Sequence, residues 1–237
     1  MRTVVEVVAR PGPGGRTVLP VVRASGQLAV RRTGPASVHL VATAFGPLGG
    51  DDAQISLVVA EGAVLVVRSV AAAIALPARG RPVPSAQRIH ATVAGSLDLR
   101  LEPTVVAARA HHVAELAASL ADGALLTATE QVLLGRSGEE PGRWTGTARI
   151  ERAGRPVLHT TVGLGPGEQA WLPPAAPRAY ASTVQIGDGT ADVATGEDAV
   201  RLPLPGGWVT TAWGAELHRV VRAVDELTPG APARVTA

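Results

Sequence analysis

The stretch FGPLGGDDAQISLVVAEGAVLVVRS, residues 45–69, decides the fold class of this chain. It holds two runs in which apolar residues recur at every second position, and Glu61 and Gly62 separate them. Such alternation predicts half-buried β-strands, and the intervening Gly and Asp residues are typical of turns. The stretch therefore predicts a strand, a turn and a second strand.

The Gly-Asp cluster GPLGGDD (46–52) raises the question of a phosphate-binding loop. Such a loop needs glycine-rich backbone that leads into the N-terminus of a helix, usually with a lysine at a fixed place. This cluster leads into a strand and contains two acids, and all 22 basic residues of the chain are arginine. We therefore predict a corner between strands rather than a phosphate site.

The same alternation recurs along the chain at roughly ten-residue spacing. It covers the ranges 37–42, 54–59, 87–93, 96–101 and 146–152. The range 111–120 fits a strand or one short helix, and we interpret it as a strand. The fold class that this pattern predicts is all-β.

A helical period is found only near the C-terminus. Five apolar residues recur at that spacing before Pro229: Leu217, Val220, Val221, Val224 and Leu227. They predict one amphipathic helix. We expect a single domain over 1–237, strand-rich in 1–207 and helical within 208–230. The apolar stripe that contains Leu217 and Val221 either packs on the sheet or docks a partner, and both alternatives remain open.

Composition argues against several classes of function. The 237 residues are 46% hydrophobic but only 3% aromatic, and the net charge is +2. Acidic and basic residues are interspersed, which argues against a nucleic-acid partner. Cysteine is absent, which excludes disulfides, thiolate metal sites and a cysteine nucleophile. No apolar run is long enough to span a membrane, and we expect a cytoplasmic protein.

The sequence contains no pattern of a tight metal site or a serine triad. The six histidines show no HxH, HxxxH or HExxH spacing, and no GxSxG occurs. Asp51 and Asp52 are either turn formers or ligands of a hard cation. Glu102 ends an alternating strand before Pro103, and Glu130 follows a very apolar run. A buried carboxylate pairs with an arginine, takes a raised pKa or lines a wet cavity.

Three stretches, in order, resemble the urease accessory protein D family, called UreD or UreH. They are 46–77, 97–107 (LDLRLEPTVVA) and 125–164 (LLTATEQVLLGRSGEEPGRWTGTARIERAGRPVLHTTVGL). There are departures from the family pattern. The range 73–77 is apolar where the family commonly has a Lys-Val-Tyr-like sequence, and the acid often found in the last hairpin is replaced near Thr160.

The resemblance implies a non-catalytic scaffold, or chaperone, for the insertion of nickel into urease. It implies a β-helix-like stack of short strands with few helices. It also implies three partners: the urease accessory protein F, the nickel-carrying accessory GTPase that is reached through it, and the urease apoprotein. No tightly bound cofactor is expected, because nickel would only be in transit through a water-filled passage.

The resemblance also assigns roles to particular residues. Asp51 or Asp52 stands at the family's Gly-Asp position, and Glu130 at its acid before Gly-Arg. Arg136 stands at that arginine, and Glu139 or Glu140 at the Gly-Glu position. Four acids are implied as weak oxygen ligands in the passage: Asp51, Asp52, Glu130 and Glu140. Weak ligands suit a conduit, which must release the ion as readily as it accepts it. Structural or partner-binding roles are expected for Arg136, Glu102, Leu217 and Val221.

Two other classes of function remain open. One is a β-helical hydrolase that uses two carboxylates, such as Asp52 and Glu130. The other is a purely structural subunit, for which deletion would have no effect on urease.

Overall fold

A computed structural model describes residues 1–167, 177–187 and 189–229. These residues form eighteen β-strands, a 3-10 turn at Pro13–Gly15 and one α-helix. The strands are β1 (Arg2–Pro11), β2 (Thr17–Ser25), β3 (Leu28–Gly34), β4 (Ser37–Ala42), β5 (Asp52–Val59), β6 (Val64–Ser69), β7 (Ala73–Ala75), β8 (Ser85–Val93), β9 (Ser96–Arg100), β10 (Thr104–Val106), β11 (His111–Leu120), β12 (Leu125–Leu134), β13 (Arg143–Arg152), β14 (Arg155–Leu164), β15 (Ala179–Ile186), β16 (Ala194–Thr195), β17 (Ala199–Leu204) and β18 (Gly207–Gly214); the helix α1 is Leu217–Leu227. The predicted all-β class is confirmed, and 111–120 is a strand.

The strands form two sheets. The seven-stranded sheet has the order β14-β13-β11-β8-β5-β1-β2. The eleven-stranded sheet has the order β16-β17-β18-β15-β12-β9-β6-β4-β3, and β10 and β7 are added beside β12. The cluster at 46–52 is the corner that leads into β5, as the sequence predicts.

Between β4 and β13 the chain winds as a β-helix-like stack. In the seven-stranded sheet β5, β8, β11 and β13 are parallel neighbours. In the eleven-stranded sheet β4, β6, β9 and β12 are parallel neighbours as well. Parallel strands need crossover connections, and here the crossover from one strand to the next is a strand of the other sheet.

The core lies between the sheets and has two parts. One cluster includes Ile55, Leu65, Leu126 and Ile186, and the other includes Val106, Leu134, Trp144 and Tyr180. Successive residues of a strand face opposite sides, so the even-numbered residues of β12 face this core. Leu126 and Ala128 belong to the first cluster, and Val132 and Leu134 to the second. The position between them is Glu130.

The helix α1 covers the outer face of the eleven-stranded sheet. Val220, Val221 and Val224 are buried against Ala179, Ala181 and Ala212, and Leu217 packs at the edge of this cluster. The stripe that contains Leu217 and Val221 therefore packs on the sheet. The helix is shorter than the expected segment 208–230, because alternating residues continue the sheet through β18 before it begins. Within the described residues, no helix is long and apolar enough to cross a membrane.

Candidate functional site

A cavity of about 1040 Å³ lies between the two sheets at the level of Glu130. The seven-stranded sheet contributes large side chains such as Leu116, Trp144 and Leu158 to its lining, and between them the small residues Ala114, Gly146 and Ala148. Packed sheets are separated by about 10 Å, and interdigitating side chains normally fill that space. The three small residues leave part of this space open, and the cavity is lined by members of both core clusters.

Three polar side chains stand next to one another on the opposite wall. Glu130 of β12 pairs with Ser182 of β15, and Ser182 pairs with Thr211 of β18. All three residues line the cavity. Ser182 Oγ and Thr211 Oγ1 are 3.3 Å apart, which is hydrogen-bond distance. The wall thus offers one carboxylate and two hydroxyl groups in a row across three strands.

The carboxyl group of Glu130 has no side-chain partner among the described residues. Burial raises its pKa to about 7. Its side chain is nevertheless only partly buried, because the accessible part faces the cavity rather than bulk water. Burial also raises the pKa of Tyr180 to about 12, with a further contribution from the negative charge of Glu130. Near neutral pH, Glu130 is divided between its charged and neutral forms.

A ring contact between the sheets borders the cavity. The centroids of the Trp144 and Tyr180 rings are 5.3 Å apart, with an angle of 37° between the ring planes. The indole lies over Gly146, where an added Cβ atom would come within 2.2 Å of Trp144 Cη2. Glycine at 146 is therefore required for Trp144 to take this position.

The eleven-stranded sheet bulges open next to Glu130. Thr129 of β12 pairs with Arg100 at the end of β9, and Val132 of β12 pairs with Thr104 at the start of β10. Between these two pairs β12 advances by three residues, whereas the chain from β9 to β10 advances by four. On the other side, Arg100 pairs with Arg68 of β6 and Thr104 with Ala73 of β7, so the chain from β6 to β7 advances by five residues. Each neighbouring strand thus carries one more residue than the last, and extra residues bend a strand out of the ladder. Leu101 and Ala71, which lie in these bulges, line the cavity.

The opening reaches the surface. Phe45 lines the cavity and is 93% exposed. Glu102 is also exposed and lines the cavity in the bulge between β9 and β10, where its backbone N–H donates to Ser69 Oγ at 2.8 Å. Pro103 follows and has no N–H to donate to a ladder. The interruption that the sequence indicates at Glu102 and Pro103 is thus part of the cavity mouth.

Asp51 and Asp52 are placed outside the cavity lining, and each has a partner of opposite charge. The Asp51 carboxylate binds the amino group of Met1 and accepts a hydrogen bond from the backbone N–H of Leu48 at 2.9 Å. Burial acts to raise the pKa of Asp51, but these hydrogen bonds and one from Gln27, together with the positive charge of the amine, lower it overall. Asp52 pairs with Arg88. Because neighbours in a strand face opposite sides, the two acids do not converge.

Arg136, Glu139 and Glu140 lie on the loop after β12. Arg136 donates two side-chain hydrogen bonds to the Glu139 carboxylate, at 3.0 and 2.7 Å. These bonds are the main reason that the pKa of Glu139 falls to about 2. Glu140 is exposed and does not line the cavity. Arg178, which the sequence did not indicate, holds this loop by donating to the carbonyls of Leu134 at 3.0 Å and Glu139 at 2.7 Å.

A second buried polar pair is found in the seven-stranded sheet. Ser85 Oγ and His112 Nδ1 are 2.9 Å apart, and these residues are 0% and 2% exposed. Burial, and to a lesser extent the charge of His111, lowers the pKa of His112 to about 4. Neither residue belongs to the cavity lining. The pair is therefore a satisfied core contact, and its histidine is neutral at pH 7.

The four acids implied as metal ligands are not brought together. Across residues 1–167, 177–187 and 189–229, no three His, Asp or Glu side chains converge as a group that could hold a metal ion. Only Glu130 of the four lines the cavity. Its neighbours Ser182, Thr211 and Tyr180 were not indicated by the sequence, because strand pairing brings them together from positions about fifty to eighty residues apart.

The hydrolase alternative is not supported by this geometry. Asp52 begins β5 in the seven-stranded sheet, where Arg88 holds it, whereas Glu130 faces the cavity from the eleven-stranded sheet. Two catalytic carboxylates must flank the same scissile bond. These two belong to different sheets, and only one of them lines the cavity.

The fold and the cavity define a class of all-β proteins in which two sheets are wound around an internal cavity. A family model described as UreD urease accessory protein matches residues 3–227. The urease accessory protein UreD of Frankia alni is 40% identical over 202 residues, covering 74% of this chain and 67% of that protein. That of Parafrankia sp. is 34% identical over 247 residues, covering 90% and 83%. That of Streptomyces coelicolor is 38% identical over 173 residues, covering 70% and 68%.

The chain belongs to the UreD family of urease accessory proteins. The resemblance seen in the sequence is thereby confirmed. An accessory role in urease maturation implies contact with urease and with other accessory proteins.

Proposed function

We propose that this chain is a scaffold for the insertion of nickel into apo-urease, and that its cavity conducts the ion past Glu130. The observation that carries the proposal is a carboxyl group without an arginine partner, facing a cavity whose lining includes the exposed Phe45. Membership of the UreD family supplies the urease context. In this proposal the chain itself makes and breaks no covalent bond.

The chemistry of the cavity wall suits transit rather than storage. Glu130, Ser182 and Thr211 offer oxygen atoms, whereas imidazole and thiolate groups hold nickel more tightly. Three oxygen-bearing side chains on one wall do not fill an octahedral shell, so the ion keeps most of its water. A site that binds weakly at one charged group lets the ion leave again.

Glu130 is the acid on which the proposal depends. Asp51 and Asp52 would first have to leave the Met1 amine and Arg88 before binding an ion. Glu140 lies on the exposed loop after β12. We further propose that the partners are the urease accessory protein F, the nickel-carrying GTPase bound through it and the urease apoprotein, and that they meet in the cytoplasm.

The proposal is tested in cells that carry the complete urease gene cluster. Glu130→Gln removes the charge and keeps the size, and Glu130→Ala removes both. The control is Glu151→Gln, which changes an exposed acid on β13 outside the cavity lining. We expect both Glu130 variants to lower the nickel content of purified urease and its activity, while the control leaves both unchanged. Fully loaded, fully active urease in both Glu130 variants would refute the proposal.

A further inference from the structure

The cavity between the sheets is walled mainly by apolar side chains. Both sheets contribute aliphatic residues, among them Leu116, Leu158 and Val162 on one side and Leu99, Val184 and Val209 on the other. A wall of this kind gives water few hydrogen-bond partners, and apolar cavities take up apolar molecules instead. The volume of about 1040 Å³ is just above the usual range of small-molecule sites, about 300–1,000 Å³. Lining and size both suit an apolar small molecule.

Within this apolar lining, Glu130 is the group that can bind a polar head. The acidic and basic residues of the lining are Glu102, Glu115, Glu130 and Arg136. Glu115 binds Arg149 at 2.8 Å, and Arg136 binds the Glu139 carboxylate at 2.7 Å. Glu102 is exposed at the mouth. Among the described residues of the lining, Glu130 is therefore the one carboxyl group inside the cavity that no arginine occupies.

The cavity also reaches the surface beside β17 and β18. The seven-stranded sheet ends at β14, whereas the eleven-stranded sheet continues past β15 through β18 and β17 to β16. Leu202 of β17 and Trp213 of β18 line the cavity and are 45% and 49% exposed. Their side chains form an apolar entrance, so an apolar molecule can enter without passing the exposed carboxylate of Glu102.

We propose that the cavity binds an apolar primary amine, with its ring or chain between the aliphatic walls and its N–H group donating to the Glu130 carboxyl. Ser182 and Thr211 stand beside Glu130, but their hydroxyl groups already lie within hydrogen-bond distance of each other. An amine bound there would occupy the group on which the proposed ion passage depends, and it would inhibit nickel delivery. The binding itself does not depend on that passage.

Two other classes of ligand fit the cavity less well. A fatty acid or another apolar anion needs a cationic partner, and the arginine of the lining, Arg136, already binds the Glu139 carboxylate. A wholly apolar molecule would cover Glu130 and leave its carboxyl without a hydrogen-bond partner, which costs free energy. An apolar amine avoids both problems.

The test is a fluorescence titration of the purified full-length chain with two matched probes. Aminoanthracene carries the amine, and methylanthracene has the same rings with a methyl group in its place. Glu130→Leu removes the acceptor and keeps a side chain of similar size, and Ala148→Phe fills the cavity from the seven-stranded sheet. The control is Ala117→Phe, which adds the same ring outside the cavity lining, because Ala117 faces away from the core residue Ala118. Circular dichroism checks that every variant is folded, and Ala114→Phe replaces Ala148→Phe if that variant is not.

We expect saturable binding of aminoanthracene that the filling variant abolishes and Ala117→Phe leaves unchanged. In Glu130→Leu the preference for the amine over the methyl compound should fall about tenfold, as for the loss of a hydrogen bond to a carboxylate. The proposal would be overturned by the absence of saturable binding, by unchanged binding in a folded filling variant, or by an unchanged preference in Glu130→Leu. The titrations contain no nickel, so their outcome is separate from that of the nickel-loading test of the proposed function.

Discussion

Trp144 of the seven-stranded sheet packs against Tyr180 of the eleven-stranded sheet, with ring centroids 5.3 Å apart. Both rings line the cavity, and Tyr180 is two residues from Ser182 in the polar row. Aromatic pairs of this kind contribute about 0.5–1.5 kcal/mol beyond the area they bury. The contact therefore joins the two walls of the cavity and fixes its size beside Glu130.

The first prediction concerns the space under Trp144. In Gly146→Val the new side chain would occupy the position of the indole, which lies 2.2 Å from an added Cβ atom. We expect the free energy of unfolding to fall by about 1–3 kcal/mol, the usual cost of overpacking, and the near-UV circular dichroism to change. Ala148→Val is the control, because it adds a similar side chain where the lining borders the open cavity. Equal effects of the two variants in denaturant titrations would contradict this account.

The second prediction is a pH dependence of stability that comes from Glu130. Its pKa is about 7 in the folded chain but 4.5 in its ordinary environment, so the folded state holds the proton to higher pH. The contribution of Glu130 to the free energy of unfolding is fully present below about pH 4.5. As the pH rises through 7, this contribution falls by on the order of 3 kcal/mol. His112 titrates with the opposite sign over an overlapping range, so this loss should appear as the difference in stability between the unmodified chain and Glu130→Gln. Denaturant titrations of both proteins between about pH 4.5 and 8 measure this difference. If the free energy of unfolding had the same pH dependence in both proteins, burial would not raise the pKa of Glu130.

The third prediction has the opposite sign and concerns His112. Burial lowers its pKa from 6.5 to about 4. His112 is therefore neutral at a lower pH in the folded state than in the unfolded chain. Stability from this group is complete above about pH 6.5 and is lost as the pH falls through 4, again by on the order of 3 kcal/mol. The difference in stability between the unmodified chain and His112→Gln should follow this loss, because Glu130, Asp51 and Glu139 titrate in both proteins. An acid limb as steep as that of the unmodified chain would contradict the prediction.

The sequence predicts those features that depend on local pattern. Alternation predicts the strands, and helical spacing from Leu217 to Leu227 predicts α1. Glu130 stands out because it occupies an inward position of an apolar strand. The partners of Asp51 and Asp52 could not be predicted, because the Met1 amine and Arg88 lie 50 and 36 residues away. The bulges beside Glu130 depend on the register of five strands, which no single segment of sequence contains.

The fourth prediction tests how α1 is held. Val221 is 8% exposed and belongs to the cluster of helix and sheet side chains that includes Ala181 and Ala212. Val221→Asp would bury an unpaired carboxylate, and we expect the free energy of unfolding to fall by at least about 3 kcal/mol. Arg222→Ser changes the adjacent exposed position and should have little effect. If Val221→Asp were as stable as Arg222→Ser, the helix would not be packed on the sheet in solution.

The fifth prediction concerns the loop that carries Arg136 and Glu140. Arg178 donates to the carbonyls of Leu134 and Glu139, whereas the exposed Arg136 side chain binds the half-buried Glu139 carboxylate. In Arg178→Gln two backbone acceptors lose a charged donor, and we expect the free energy of unfolding to fall by about 1–3 kcal/mol. Arg136→Gln should have a smaller effect, because solvent screens an exposed ion pair. Amide hydrogen exchange of residues 135–140 separates the two cases, since only Arg178→Gln should speed exchange throughout the loop. Faster exchange in Arg136→Gln than in Arg178→Gln would show that the exposed pair, not Arg178, anchors the loop.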